Sequence, residues 1–349
     1  MNCPKIILLA LIHISIFVSM LNACTQEHDA GDAGSLLTPI PSKVSPPPRA
    51  FSEMVYDSER NIMILFGGWT DLSSNNINSY LNDTWEYSLG TWRKIDTTNI
   101  PLGRYGHGLA YDFKQHKVVM HGGITSETTR DINTWEYDGV DWIEQINQSD
   151  SPGGREFPIM LFSPLHNATL LLGGDVVDEV WLYNYGTWAL MTDTVRLPDR
   201  YSTLAKVVYD GNKDVLFMHT SRDIGYGDTF EWRGNTWLSV ASRANEAELV
   251  SFGLIYDSRR EVIVLFGGQH CLRQPSEEQC SEHPQDLTWE YNGDNWQLER
   301  PHKSPPARYG HAMAYDESRG VTVLFGGMGE NGTTLNDTWE YDGVTWTQR

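Results

Sequence analysis

Basic residues are scarce: 26 Lys and Arg stand against 46 Asp and Glu, a formal charge of -20 over 349 residues. Binding to nucleic acid or to anionic lipid needs basic patches, so this balance argues against both and fits a cationic partner or simple solubility. The chain also has no Gly-rich phosphate loop, no His-Glu-x-x-His helix and no nucleophile elbow, so no motif identifies an enzyme and no cofactor is expected. Cysteine is rare, with four residues, and no apolar run makes a good membrane-spanning helix. What is present is aromatic: 11% of the chain is Phe, Trp or Tyr and 40% is hydrophobic, enough to bury a large core.

Residues 1–23 differ from the rest. Lys5 is their only charge, the apolar run from Ile6 to Leu21 is broken mildly by His13, Ser15 and Ser19, and Leu21-Asn22-Ala23-Cys24 follows. This is the pattern of a signal peptide. Its ending resembles the bacterial lipobox, which implies lipidation of Cys24; ordinary cleavage after Ala23 is the alternative. Residues 24–47 read as a linker, flexible through "HDAGDAGSLLTP" and biased to polyproline conformation in "IPSKVSPPP". Thr25 follows Cys24 where many Gram-negative lipoproteins carry the aspartate that signals inner-membrane retention, so the outer membrane or cell surface is expected.

With Cys3 in the leader and Cys24 the lipidation candidate, Cys271 and Cys280 remain as a pair in "QHCLRQPSEEQCSEHP". In an exported protein a disulfide closing that loop is the expectation. A zinc site from His270, Cys271, Cys280 and His283 is the alternative, but the spacing matches no standard finger or ribbon, and no metal is expected.

The chain repeats. "LFGG" at 65, "MHGG" at 120, "LLGG" at 171, "FMHT" at 217, "LFGG" at 265 and "LFGG" at 324 mark six copies 46 to 59 residues apart. Each has four short segments with alternating apolar residues, β-branched and aromatic enrichment and Gly, Asn or Asp boundaries, which read as strands. Trp85, Trp135, Trp181, Trp289 and Trp339, with Phe230 in the fourth copy, hold the third-strand position. Trp92, Trp142, Trp188, Trp237, Trp296 and Trp346 hold the fourth. Trp232 falls where other copies have Tyr, and Trp69 alone lies outside the scheme.

Gly-Gly after a hydrophobic strand, then Tyr, then Trp, resembles the kelch repeat. The resemblance covers roughly residues 48–349 and implies an all-β, six-bladed β-propeller of four-stranded blades, at about 48–100, 101–151, 152–196, 197–243, 244–303 and 304–349. The fourth copy departs from it, with His219-Thr220 in place of Gly-Gly. Kelch propellers usually let one terminus complete a blade, whereas each copy here holds all four segments, and the stretch near Leu36 is the candidate helper in closing the ring.

Recurrence argues that "LNDTWEY", at 81–87 and 335–341, is scaffold: Glu86, Glu136, Glu231, Glu290 and Glu340 recur in five copies, and no active site needs five equivalent bases. Arg49, Arg104, Arg155, Arg200 and Arg308 recur before the first strand, with Leu249 in the fifth copy. Their number suggests salt bridges with the glutamates; a ring of arginines presented to a ligand is the alternative. They share a face with the loops after Gly-Gly, as do Tyr105, His107, Tyr309 and His311 of the two "RYGH" phrases. The histidines suit packing or hydrogen bonding, or else acid-base work.

The longest of those loops belong to blades 1 and 5, on either side of blade 6, so the expected site joins "WTDLSSNNINSY" at 69–80, the loop at 269–286 and "MGENGTTLN" at 328–336. Trp69 and Tyr80 belong to it; Trp69 either stacks on a sugar or an apolar partner group, or covers its own loop. The kelch resemblance implies a monomeric module binding a protein or glycan, and the lipobox-like ending implies that it is anchored to a membrane. The alternative is a carbohydrate-active enzyme, such as a sialic-acid epimerase or lyase, working at the channel mouth. Galactose-oxidase-type copper chemistry is excluded if the two cysteines are bridged.

Overall fold

The computed structural model describes residues 44–70, 79–126, 129–146, 150–175, 179–191, 205–221, 227–233, 236–243, 249–270 and 283–349. They form an all-β, six-bladed propeller of four-stranded antiparallel sheets, over 53–95, 108–145, 159–190, 206–243, 253–299 and 312–348.

Blade 1 shows how the repeat becomes a sheet. Its strands are Glu53–Asp57, Ile62–Phe66, Thr84–Ser88 and Thr91–Ile95. The first hairpin turns on Asp57, whose Oδ1 accepts from the Glu59 and Arg60 amides at 3.0 Å, a side-chain substitute for a backbone turn. Met63, Ile64, Leu65 and Phe66 are all buried, because the second strand has a neighbouring blade on both faces. The fourth strand is at the rim, and there only Trp92 is buried while Thr91, Arg93 and Lys94 face water.

The core lies in the seams between blades. Met54, Leu65 and Trp92 of blade 1 pack on Ala312, Val323 and Phe325 of blade 6, and Phe66 packs on Leu109 and Trp142 of blade 2. A fourth-strand tryptophan donates across the seam to a third-strand threonine: Trp142 to Thr84, Trp188 to Thr134, Trp296 to Thr229, Trp346 to Thr288 and Trp92 to Thr338, at 2.8 to 3.0 Å. Between blades 3 and 4 the threonine position is Val180, and Trp237 Nε1 is buried without a partner.

Gly-Gly is also a seam device. Gly67 and Gly68 hold φ of 66° and 107°, and a Cβ on Gly67 would sit 2.6 Å from the Arg104 carbonyl of the next blade. The Gly68 amide donates to that same carbonyl at 2.8 Å. Where His219-Thr220 replaces Gly-Gly, the strand runs on as Val215–Ser221 and the next blade has Leu249 in place of arginine.

All four strands of blades 1 and 6 come from their own repeats, so no exchanged strand closes the ring. Closure instead uses Trp92 to Thr338, Tyr87 to Glu340 at 2.8 Å and the segment before blade 1: Arg49 N donates to Leu335 O at 3.0 Å and Gly327 N to Arg49 O at 2.8 Å. Leu36 lies outside the described residues.

Candidate functional site

First strands begin on the face that carries the loops after Gly-Gly, and so do third strands. Arg49, Arg155 and Arg308, which precede first strands, therefore meet the residue just before a third strand, not the glutamate further along it. Arg49 grips both oxygens of Asp83 at 2.7 and 2.8 Å, Arg308 grips Asp337 at 2.6 and 2.8 Å, and Arg155 bonds Glu179 at 3.0 Å. In blade 2 Asn133 stands at the aspartate position, and Arg104 reaches Asp131 instead at 2.5 Å.

The expected arginine–glutamate pairing is therefore corrected. Because the carboxylate lies two residues before the third-strand tryptophan, the mismatches between arginines and glutamates disappear: blade 5, with Leu249 for arginine, has Leu287 for aspartate. Burial alone would raise the Asp83 and Asp337 pKa values, but the hydrogen bonds and charge of Arg49 and Arg308 outweigh it and hold both below the ordinary value.

The glutamates bond elsewhere. Glu86 takes Arg60 at 2.8 Å and Arg93, and Glu340 takes Arg319 at 2.5 Å and Arg349 at 2.6 Å, on the side of the first hairpin turns. Tyr87 donates to Glu340, Tyr183 to Glu136 and Tyr341 to Glu290, each across a seam. Where Trp232 replaces tyrosine, the facing residue is Leu182 instead of glutamate, and the two pack together.

Nor are Arg49, Arg104 and Arg308 presented to a ligand, since all three are 0% exposed and spent on carboxylates and carbonyls. Arg200 lies outside the described residues. His107 is fully enclosed, and neither ring nitrogen has a partner. Burial first, then the charges of Arg104 and Lys206, push its pKa well below the usual histidine value. His311 is 8% exposed and likewise unpartnered; burial, Arg308 and Lys206 push it down to about 3.

The aromatic residues of this face do come together. Trp69 stacks on Tyr105 of the next blade at 4.8 Å and 26°, and both meet Tyr80 edge-on, at 5.8 and 5.1 Å. Tyr105 also nears Phe51 and Phe157, each at 6.3 Å, and Phe51 meets Tyr309 at 6.2 Å. All six rings are half-buried. They belong to blades 6, 1, 2 and 3. Thr334 donates to Thr70 O at 3.0 Å, joining the loops of blades 6 and 1. Residues 71–78 and 271–282, with Cys271 and Cys280, lie outside the described residues, as does Cys24. Among the described residues no group of three or more His, Cys, Asp or Glu is placed to hold a metal ion.

Two of these rings, Phe51 and Phe157, line an axial cavity of about 50 Å³ that opens to solvent. Backbone bonds run round its rim: Gly310 N to Ser251 O, Phe51 N to Gly310 O, Gly106 N to Phe51 O and Phe157 N to Gly106 O, at 2.7 to 3.0 Å. Phe51, Gly106, Phe157, Ser251 and Gly310 all hold φ of 50° to 59°, a left-handed conformation costly for the two phenylalanines and the serine. In the sequence, the glycine of both "RYG" phrases was the signal for this rim.

Below the rim, Lys206 Nζ of blade 4 reaches Glu53 Oε1 of blade 1 at 3.1 Å. These residues open the first strands of blades on opposite sides of the axis, so their bridge crosses the channel. The same position holds Gly108, Ile159, Gly253 and Ala312 in the other blades. Aligning first strands would have shown one acid and one base three blades apart.

The six-bladed propeller is the class that the architecture defines. Among solved structures with this fold is that of YjhT, 11% identical, covering 87% of this chain and 98% of its own, with a TM-score of 0.65. No protein-family model and no curated protein matches the chain. At 11% identity the likeness carries the fold alone.

Proposed function

We propose that the protein is an exported kelch-like propeller, tethered to the bacterial envelope through Cys24, that binds a protein or glycan on its loop face. The carrying observation is the half-buried cluster of Phe51, Trp69, Tyr80, Tyr105, Phe157 and Tyr309 around the axial opening. Ring faces held on a rigid scaffold suit stacking on a sugar or on apolar side chains.

Affinity capture from native envelopes with the soluble domain, alongside a glycan array, identifies the ligand. Trp69→Ala with Tyr105→Ala should weaken its binding by at least about tenfold, the size expected of losing two aromatic anchors. Unchanged affinity with an intact fold sinks the site. Cys24→Ser should move the protein from the membrane to the soluble fraction, which reads the tether separately.

One observation favours a second reading, an enzyme acting on a carbohydrate: His311 lines the axial cavity. His107 does not share that role, being enclosed by protein. Turnover of a captured glycan that His311→Gln abolishes would replace the binding reading with this one.

A further inference from the structure

The axial cavity has features that the repeat does not require. Its mouth is lined by Phe51, Phe157 and Phe252, from blades 1, 3 and 5. Glu53 and Lys206 meet across it while keeping side-chain exposures of 30% and 40%. His311 reaches it past Gly253, where a Cβ would lie 2.5 Å from His311 Nε2. That imidazole is nine-tenths buried, and both its nitrogens are unpartnered and enclosed by protein, so His311 shapes the wall and makes no bond to a ligand.

We propose that the axial mouth is a receptor for a primary ammonium group, with Glu53 as its counter-ion and Lys206 as a built-in occupant that the ligand displaces. An ammonium carries three donors and no acceptor. Glu53 supplies a carboxylate that accepts from such a group, and Phe51, Phe157 and Phe252 wall the mouth around it. Lys206 has a flexible stem and is already partly in water, so leaving Glu53 strands no buried charge. A carboxylate ligand would instead have to pull Lys206 away and leave Glu53 facing the apolar rings. It would also approach a chain of charge -20, which attracts cations and repels anions.

The inference rests on the loop face being the binding face, and its test is independent of the outer rings. Calorimetric titrations would use 1,4-diaminobutane as a free amine and Nα-acetyl-lysine methylamide as a protein lysine. The Nε-acetylated amide is the neutral control, and acetate is the anion. Both amines should bind the wild-type protein and bind Lys206→Met about twofold to fivefold tighter, the size set by removing a half-exposed competing ion pair. Glu53→Gln should abolish binding, and the acetylated control should not bind. Preference for the lysine amide identifies a protein side chain as the source; preference for the diamine identifies a free amine.

Tighter acetate binding in Glu53→Gln overturns the proposal. So does absence of amine binding to Lys206→Met at tens of millimolar when its circular dichroism and melting temperature match wild type. Lys206→Gln serves the same purpose if the methionine variant misfolds. Loss of partner binding in Trp69→Ala with Tyr105→Ala, with amine binding retained, would separate the outer cluster from this inner site.

Discussion

Three histidines show what single residues cost and contribute. His107, His121 and His311 are buried and held neutral; burial comes first among the causes, and His121 and His311 are both pushed down to about 3. In the unfolded chain each would protonate near 6.5, so below that pH the unfolded state binds more protons than the folded one. Stability is therefore complete above about 6.5 and falls as pH drops towards 3, by up to about 1.4 kcal/mol per pH unit for each histidine. Denaturant midpoints from pH 7.5 to 4.5 should decline, and His311→Gln should flatten the decline. A midpoint independent of pH would refute this. Val180 is the opposite case, a position where a missing hydroxyl leaves Trp237 Nε1 unpaired. Val180→Thr should stabilise the fold by about 1 kcal/mol if the new oxygen accepts that proton. Thr84→Val should cost about 1 to 3 kcal/mol by orphaning Trp142, and urea denaturation reads both variants.

At the scale of elements, the seams carry paired choices. Tyrosine donates to glutamate across three seams, while Trp232 meets Leu182 across the seam of blades 3 and 4. Leu182→Glu alone should destabilise by several kcal/mol, because its carboxylate would meet an apolar tryptophan face. Adding Trp232→Tyr should recover more than about 1 kcal/mol, a coupling that a double-mutant cycle measures. Strict additivity would mean that the two side chains do not sense each other. Arginine and aspartate behave likewise on the loop face: blade 5 replaced both, with Leu249 and Leu287, which pack in one apolar cluster. Arg308 is accordingly a poor probe of binding, since its removal would leave the half-buried Asp337 without a counter-ion, held only by the Trp339 indole.

For the whole molecule, the open question was closure. The ring shuts through side chains and through the short segment that enters blade 1, where Arg49 ties blade 6 to Asp83. A chain beginning at residue 50 should melt several degrees below one beginning at residue 43, as expected from losing about 3 kcal/mol or more of buried pairing. Equal melting temperatures would place closure elsewhere.

The repeat period, the strand alternation and the placement of eleven tryptophans were legible in the residues, because those signals are local or recur at fixed spacing. So was the use of "DTWEY" as scaffold. Partner choice was not: which carboxylate meets Arg49 depends on which strand ends share a face, and counting residues assigned the wrong acid. Trp69 was marked as unusual, yet its stacking on Tyr105 needed two blades set side by side. Glu53 and Lys206 looked like ordinary strand residues more than 150 positions apart. Only closing six blades around one axis put them 3.1 Å apart, because first strands meet at the centre while their sequences stay distant.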